Sequence, residues 1–98
     1  MIAEADGAAG RVGYLWFAPR ETDAGRVCWL YDLWVDEPYR GRGYGRALMD
    51  ALERAAREAG LRRIELNVFA PNRRAQRLYE RSGYTEMTRQ YYKELPET

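Results

Sequence analysis

The sequence has no histidine, and its only cysteine and only lysine are Cys28 and Lys93. Without histidine, Ser/His/Asp and Cys/His nucleophilic catalysis are excluded and the commonest metal ligand is missing, so no metal site is expected. One cysteine cannot close an internal disulfide, and no charged-then-apolar leader opens the chain. A reducing cytoplasm is therefore the expected setting. No apolar run approaches the roughly 20 residues that a membrane-spanning helix needs. The formal charge is +1, from 16 basic and 15 acidic side chains, so no overall field draws the chain toward nucleic acid or an anionic membrane. Neither is an expected partner. What remains is 98 residues that are 46% hydrophobic and 32% charged, which reads as one compact domain over residues 1–98.

The charge is unevenly spread. Residues 1–39 carry 3 basic and 7 acidic side chains, and residues 40–98 carry 13 and 8, so any anion-seeking surface lies downstream. Met1 to Asp6 reads as a weak strand, Gly7 to Gly10 as a turn, and Arg11–Phe17 as the second arm of a hairpin. After a polar stretch from Pro19 to Gly25, Arg26–Val35 alternates. Val27, Trp29, Tyr31, Leu33 and Val35 fall on one face, with Cys28, Leu30 and Trp34 on the other, as in a strand covered on both sides. Asp32 is the one carboxylate in that run. Leu48, Met49, Leu52, Ala55, Ala56 and Ala59 are spaced by threes and fours and predict an amphipathic helix stopped by Gly60. Ile64, Leu66 and Val68 alternate as a strand, making a parallel strand-helix-strand crossover. Asn72 can cap a second helix through Ala75, Leu78 and Tyr79 that ends at Gly83, and Tyr84 to Leu95 returns as extended chain. The predicted class is α+β, a three-layer α/β/α arrangement with a mixed, mostly antiparallel sheet around one central parallel crossover.

Arg40-Gly41-Arg42-Gly43-Tyr44-Gly45-Arg46 joins the apolar strand to the first helix, where unpaired backbone N–H groups point outward and attract anions. Glycines allow close approach and positive φ, and three arginines at a helix start are unfavourable unless an anion offsets them. A tight turn with solvated arginines is the plain alternative. Two phosphate loops are ruled out directly. A P-loop wants Lys-Ser/Thr after its last glycine, where Arg46-Ala47 stands, and a dinucleotide fingerprint wants a third glycine where Arg46 stands.

The pattern Arg40-x-x-Gly43-x-Gly45, preceded by Leu33-x-Val35 and followed by the Leu48 helix, resembles the acyl-CoA pyrophosphate loop of the GNAT superfamily of acetyl-CoA-dependent N-acyltransferases. Leu66-Asn67-Val68 and then Asn72-x-x-Ala75-x-x-Leu78-Tyr79-Glu80-x-x-Gly83-Tyr84 is similar to the family's later motif at matching spacing. The resemblance implies acetyl-CoA as cosubstrate and a primary amine as acceptor. It implies that the backbone N–H groups of Arg42, Gly43, Tyr44 and Gly45, next to Gly41, cradle the pyrophosphate, with Arg40 at the loop's first position and Arg46 nearby. The main chain of Leu33 and Val35 would pair with the pantetheine amides across a slot made by splaying from Ile64–Val68. Asn72 would bond the cofactor arm, and Tyr79 would protonate the departing thiolate. Tyrosine, with a pKa of about 10, is protonated at neutral pH and needs placement more than tuning. A strand N–H, that of Val35, would meet the oxyanion. Asp32, through a water relay, is the expected route for the amine's proton, since Asn67 stands where some members have a glutamate. Read without the motif, Tyr79 is a core aromatic and Asn72 a helix cap.

Members of the family usually begin with a strand and two helices for which this sequence shows no counterpart. A partner subunit completing the site is one reading, and the many rings of Trp16, Trp29, Trp34, Tyr91 and Tyr92 point to a homodimer. A non-catalytic acyl-CoA sensor is the rival, and an RNA-binding module on Arg73, Arg74, Arg77 and Arg81 a third. The identity of the acceptor amine is left open.

Overall fold

A computed structural model of the chain describes residues 2–7 and 10–96. Strands β1 (Ile2–Gly7), β2 (Gly10–Thr22), β3 (Gly25–Val35) and β4 (Ile64–Leu66) lie in that order in one sheet. The β1/β2 and β2/β3 pairs are antiparallel and β3/β4 is parallel, which is the mixed sheet expected from the sequence. Helix α1 (Tyr44–Glu58) makes the crossover between β3 and β4, and α2 (Arg73–Arg81) follows β4. The first hairpin pairs Gly7 with Gly10, while Ala8 and Ala9 of the expected turn, like Met1 of the expected strand, lie outside the described residues.

The core joins Leu15, Phe17, Cys28 and Leu30 of the sheet to Leu48, Met49, Leu52 and Ala56 of α1. Burying a Leu, Phe or Met side chain of this kind stabilises by about 1.5–3 kcal/mol. Leu78 and Tyr79 of α2 pack against the same cluster, so both helices cover one face. Of the three layers expected, the described residues supply the sheet and one helical layer. Helix α1 ends as its sequence predicts: Gly60 takes φ 75°, and the Leu61 N–H donates to the Ala56 carbonyl at 2.9 Å, closing the last turn.

Three features depart from the sequence reading. Strand β2 runs on through Pro19 to Thr22, because the second hairpin turns tightly at Asp23-Ala24 with Gly25 at φ 94°. Proline is tolerated there because, among the described residues, β1 pairs with β2 only as far as Trp16. Strand β3 does not keep one alternation. Trp16 faces Asp32 and Phe17 faces Leu30, so Tyr31 is an extra, bulged residue. Cys28 and Leu30 turn toward α1 before the bulge, and Leu33 and Val35 turn toward the same core after it. Leu33 and Val35 therefore share a face with Cys28 and Leu30, not with Val27 and Trp29. Finally, residues 85–96 are exposed and join no strand among the described residues. Part of that segment is satisfied locally, by a forked Glu86–Arg89 pair with bonds of 2.6 and 3.1 Å.

Candidate functional site

Strands β3 and β4 pair only from Cys28–Ile64 to Leu30–Leu66. Beyond Leu66 the chain leaves the sheet toward α2, while β3 continues through Tyr31 to Val35 with no partner on that side among the described residues. The divergence opens a cleft of about 950 Å³ between β3, the loop before α1 and the face of α2. Of the residues singled out from the sequence, Asp32, Leu33, Val35, Arg40, Gly41, Gly43, Gly45, Arg46, Asn72 and Tyr79 all line it. Arg42 and Tyr44 do not. Their side chains lie against Tyr39, the Arg42 guanidinium 5.9 Å from its ring centre and the Tyr44 ring edge-on at 6.1 Å, which leaves only their backbone to serve the loop. A wider hollow of about 2250 Å³ lies between α1, β4 and residues 84–92, and holds none of the glycine loop.

The loop has the backbone that its glycines predict. Gly41 and Gly43 sit at φ 78° and 86°, in the left-handed region that costs other residues roughly 1 kcal/mol or more. Gly43 is the N-cap of α1 and offers no side-chain acceptor, and the first turn holds no acidic residue, so its N–H groups are left for an outside acceptor. Gly45 stands where the start of α1 meets α2, and a Cβ there would make only an ordinary contact with Leu78 Cδ2, at 3.4 Å.

The free edge of β3 carries main-chain groups. The Asp36 N–H donates to the Val12 carbonyl at 2.7 Å, on the β2 side, so alternation turns the N–H and C=O of Val35 and Leu33 toward the cleft. Arg40 modifies this picture. Its Nε donates to the Val35 carbonyl at 2.9 Å and its guanidinium lies 4.6 Å from the Trp34 ring, so Arg40 braces the end of the strand. The Val35 carbonyl is thereby engaged, and its N–H is left facing the cleft.

Tyr79 is half-buried, its ring 5.8 Å from that of Tyr84. Burial, reinforced by the charge of Asp32, pushes its pKa above the ordinary 10.0, so the phenol is protonated throughout the neutral range. Asp32 is exposed at the sheet surface and accepts a 2.6 Å hydrogen bond from the Tyr14 hydroxyl, which fixes one carboxylate oxygen. Tyr14 is itself pushed up from 10.0 by that bond. Asn72 caps α2, its Oδ1 accepting from the Ala75 N–H at 3.1 Å, and its amide nitrogen stays available to donate into the cleft. The tyrosine that orients Asp32, the bulge at Tyr31, the Arg40 brace and the Gly45–Leu78 contact were not visible from spacing. Only the β-branched and aromatic content of Arg11–Phe17 hinted that Tyr14 would stand on a strand beside β3.

The family model of the acetyltransferase (GNAT) family matches residues 1–84. The N-acetyltransferase YycN of Bacillus subtilis (strain 168) is 41% identical over 75 residues, which is 76% of this chain and 48% of that protein. A protein of Pyrococcus furiosus superposes with a TM-score of 0.84 at 28% identity, covering 96% of this chain and 64% of its own. An aminoglycoside N-acetyltransferase, AAC(6')-Iy, solved in complex with CoA, shares the fold with a TM-score of 0.83 at 20% identity, covering 95% of this chain and 73% of its own. The chain thus spans about half the length of the first of these relatives.

Proposed function

The chain belongs to the GNAT acetyltransferase family, and from that premise we propose that it moves an acetyl group from acetyl-CoA to a primary amine by direct attack. The amine nitrogen adds to the thioester carbonyl, the C–S bond breaks, the sulfur leaves with the electron pair and takes a proton from Tyr79, and the nitrogen's surplus proton passes through water to the Tyr79 phenolate, restoring the phenol. The ammonium proton leaves beforehand by a water relay through Asp32 to solvent, so the carboxylate is charged again when the nitrogen attacks. In this reading the N–H groups of Arg42, Gly43, Tyr44 and Gly45 hold the pyrophosphate, with Gly41 shaping the turn and Arg46 adding charge. Leu33 and Val35 pair with the pantetheine arm, and the Val35 N–H faces the developing oxyanion, a type of contact worth on the order of 3 kcal/mol. Asn72 bonds the arm. Arg40 acts by positioning Val35.

The observation that supports this most is the parting of β3 and β4 after Leu30–Leu66, which puts the glycine loop, the strand edge and Tyr79 on one cleft. The test is calorimetric titration with acetyl-CoA followed by free-thiol release over a panel of amines. Wild type and Tyr79→Phe should bind alike, and the variant should release thiol about 100-fold more slowly or worse. Binding without release from any amine would favour a non-catalytic acyl-CoA sensor, and no heat at all would remove both readings.

We also infer a homodimer, since Tyr91 and Tyr92 are 82% and 88% exposed and single-copy surfaces seldom group large rings. A monomer in sedimentation at micromolar concentration would reject it. The reading sets the protein in the cytoplasm, and no described helix is long and apolar enough to cross a membrane.

A further inference from the structure

The sheet face turned away from α1 is paved with rings. With Leu15 and Phe17 inward, Tyr14 and Trp16 point outward, and the bulge brings Tyr31 beside them, its ring centre 5.1 Å from that of Trp16. Trp29 and Trp34 share this face, and each already carries a guanidinium, Arg20 at 4.3 Å and Arg40 at 4.6 Å. The Trp16–Tyr31 pair is the exception. No cation lies over it among the described residues, and the two rings are 50% and 46% exposed. Asp32 stands directly opposite Trp16 on the neighbouring strand, and among the described residues no arginine or lysine comes within 4.0 Å of its carboxylate. The patch thus has ring faces and a carboxylate, each suited to a positive charge and neither supplied with one by the described residues. Asp32 and Tyr31 also line the cleft that holds Tyr79, so the patch adjoins the place where an acceptor would react.

The attacking nitrogen must be uncharged when it adds to the thioester, whereas ring faces reward a nitrogen that keeps its charge. We propose that the acceptor is an organic dication, a diamine or polyamine, whose second ammonium rests on the Trp16–Tyr31 pair under the field of Asp32 while its first nitrogen reacts beside Tyr79. This rests on the acetyltransferase reading above and adds the class of amine. Trp16 and Tyr31 act as specificity residues and take no part in bond making.

The test compares thiol release from acetyl-CoA with cadaverine and with pentylamine, which have the same carbon chain but one or two ammonium groups. Wild type should favour cadaverine in kcat/KM by about 5- to 30-fold at low salt, the range a desolvated cation–π contact supplies, and the preference should shrink as salt rises. Trp16→Leu and Tyr31→Leu should each remove most of it through KM, Trp16→Leu should leave kcat and the pentylamine rate unchanged, and Trp16→Phe should restore a good part. Equal use of the two amines by wild type would overturn the proposal while leaving the transferase reading intact. A preference untouched by both leucine variants would also overturn it, as would a change in sedimentation on Trp16→Leu, which would make the ring pair a contact between copies. Acetyl-CoA binding with no thiol released from either amine would overturn both. Wild type and Trp16→Phe suffice to decide if the leucine variants fail to fold.

Discussion

Tyr84 shows how a single residue can be informative for what it lacks. Its hydroxyl is buried and has no hydrogen-bond partner among the described residues, while its ring packs against the core and against Tyr79. An orphaned buried hydroxyl pays its desolvation with nothing in return, so Tyr84→Phe should be stabilising by about 1 kcal/mol, seen as a melting temperature higher by roughly 4–8 °C. A lower melting temperature would mean that the hydroxyl has a partner in solution. The residues with a motif were legible: Gly41, Gly43, Asn72 and Tyr79 were each named from the sequence, and each lines the cleft. Asp32 was legible only as an anomaly, a carboxylate in an apolar strand. Its anchoring by Tyr14 was not, because that contact joins residues 18 positions apart and depends on strand register.

Register is also where the elements escaped the sequence. Alternation identified β3 but assigned Leu33 and Val35 to the wrong side, since one extra residue at Tyr31 inverts everything after it. Spacing gave no sign of this because the strand is apolar on both faces. Helix α1 was legible in full, as its stripe of Leu48, Met49, Leu52 and Ala56 is the side that the structure buries. Gly13 is the element-scale residue that no pattern flagged. It faces Val35, and a Cβ there would run into the Trp34 carbonyl oxygen, so the end of β3 lies against β2 only because that position is bare. Gly13→Ala should cost about 1–3 kcal/mol by overpacking, lower the melting temperature by at least about 4 °C, and weaken acetyl-CoA binding, because it displaces the edge that carries the Leu33 and Val35 main chain. Calorimetry and thermal melts on the same sample check both. An unchanged melting temperature would show that β2 yields without cost.

At the scale of the whole molecule, the absence of histidine fixes how stability responds to pH. The buried acids whose pKa is displaced are all displaced upward: Cys28 from 9.0, Tyr79 from 10.0 and Tyr84 from 10.0, burial being the largest cause in each. Tyr14 moves the same way through its bond to Asp32, but it is at the surface and solvent screening leaves it little weight. For such groups the folded state holds a proton that the unfolded chain gives up sooner. Their contribution is therefore complete below the unfolded pKa and is lost as pH climbs toward the folded one. Glu86 shifts downward under the Arg89 guanidinium, yet it is fully solvated and adds no acid transition of consequence. Urea midpoints should then be level between about pH 6 and 8, where a histidine would have titrated. They should fall steeply above about pH 9 to 10, with the first loss from Cys28 and the larger ones from the tyrosines. In Tyr84→Phe the alkaline fall should be shallower, since one of the displaced phenols is gone. A midpoint that rises above pH 10, or a step near pH 6.5, would contradict the burial of these groups and with it the packing of Tyr79 and Tyr84 between α2 and the core.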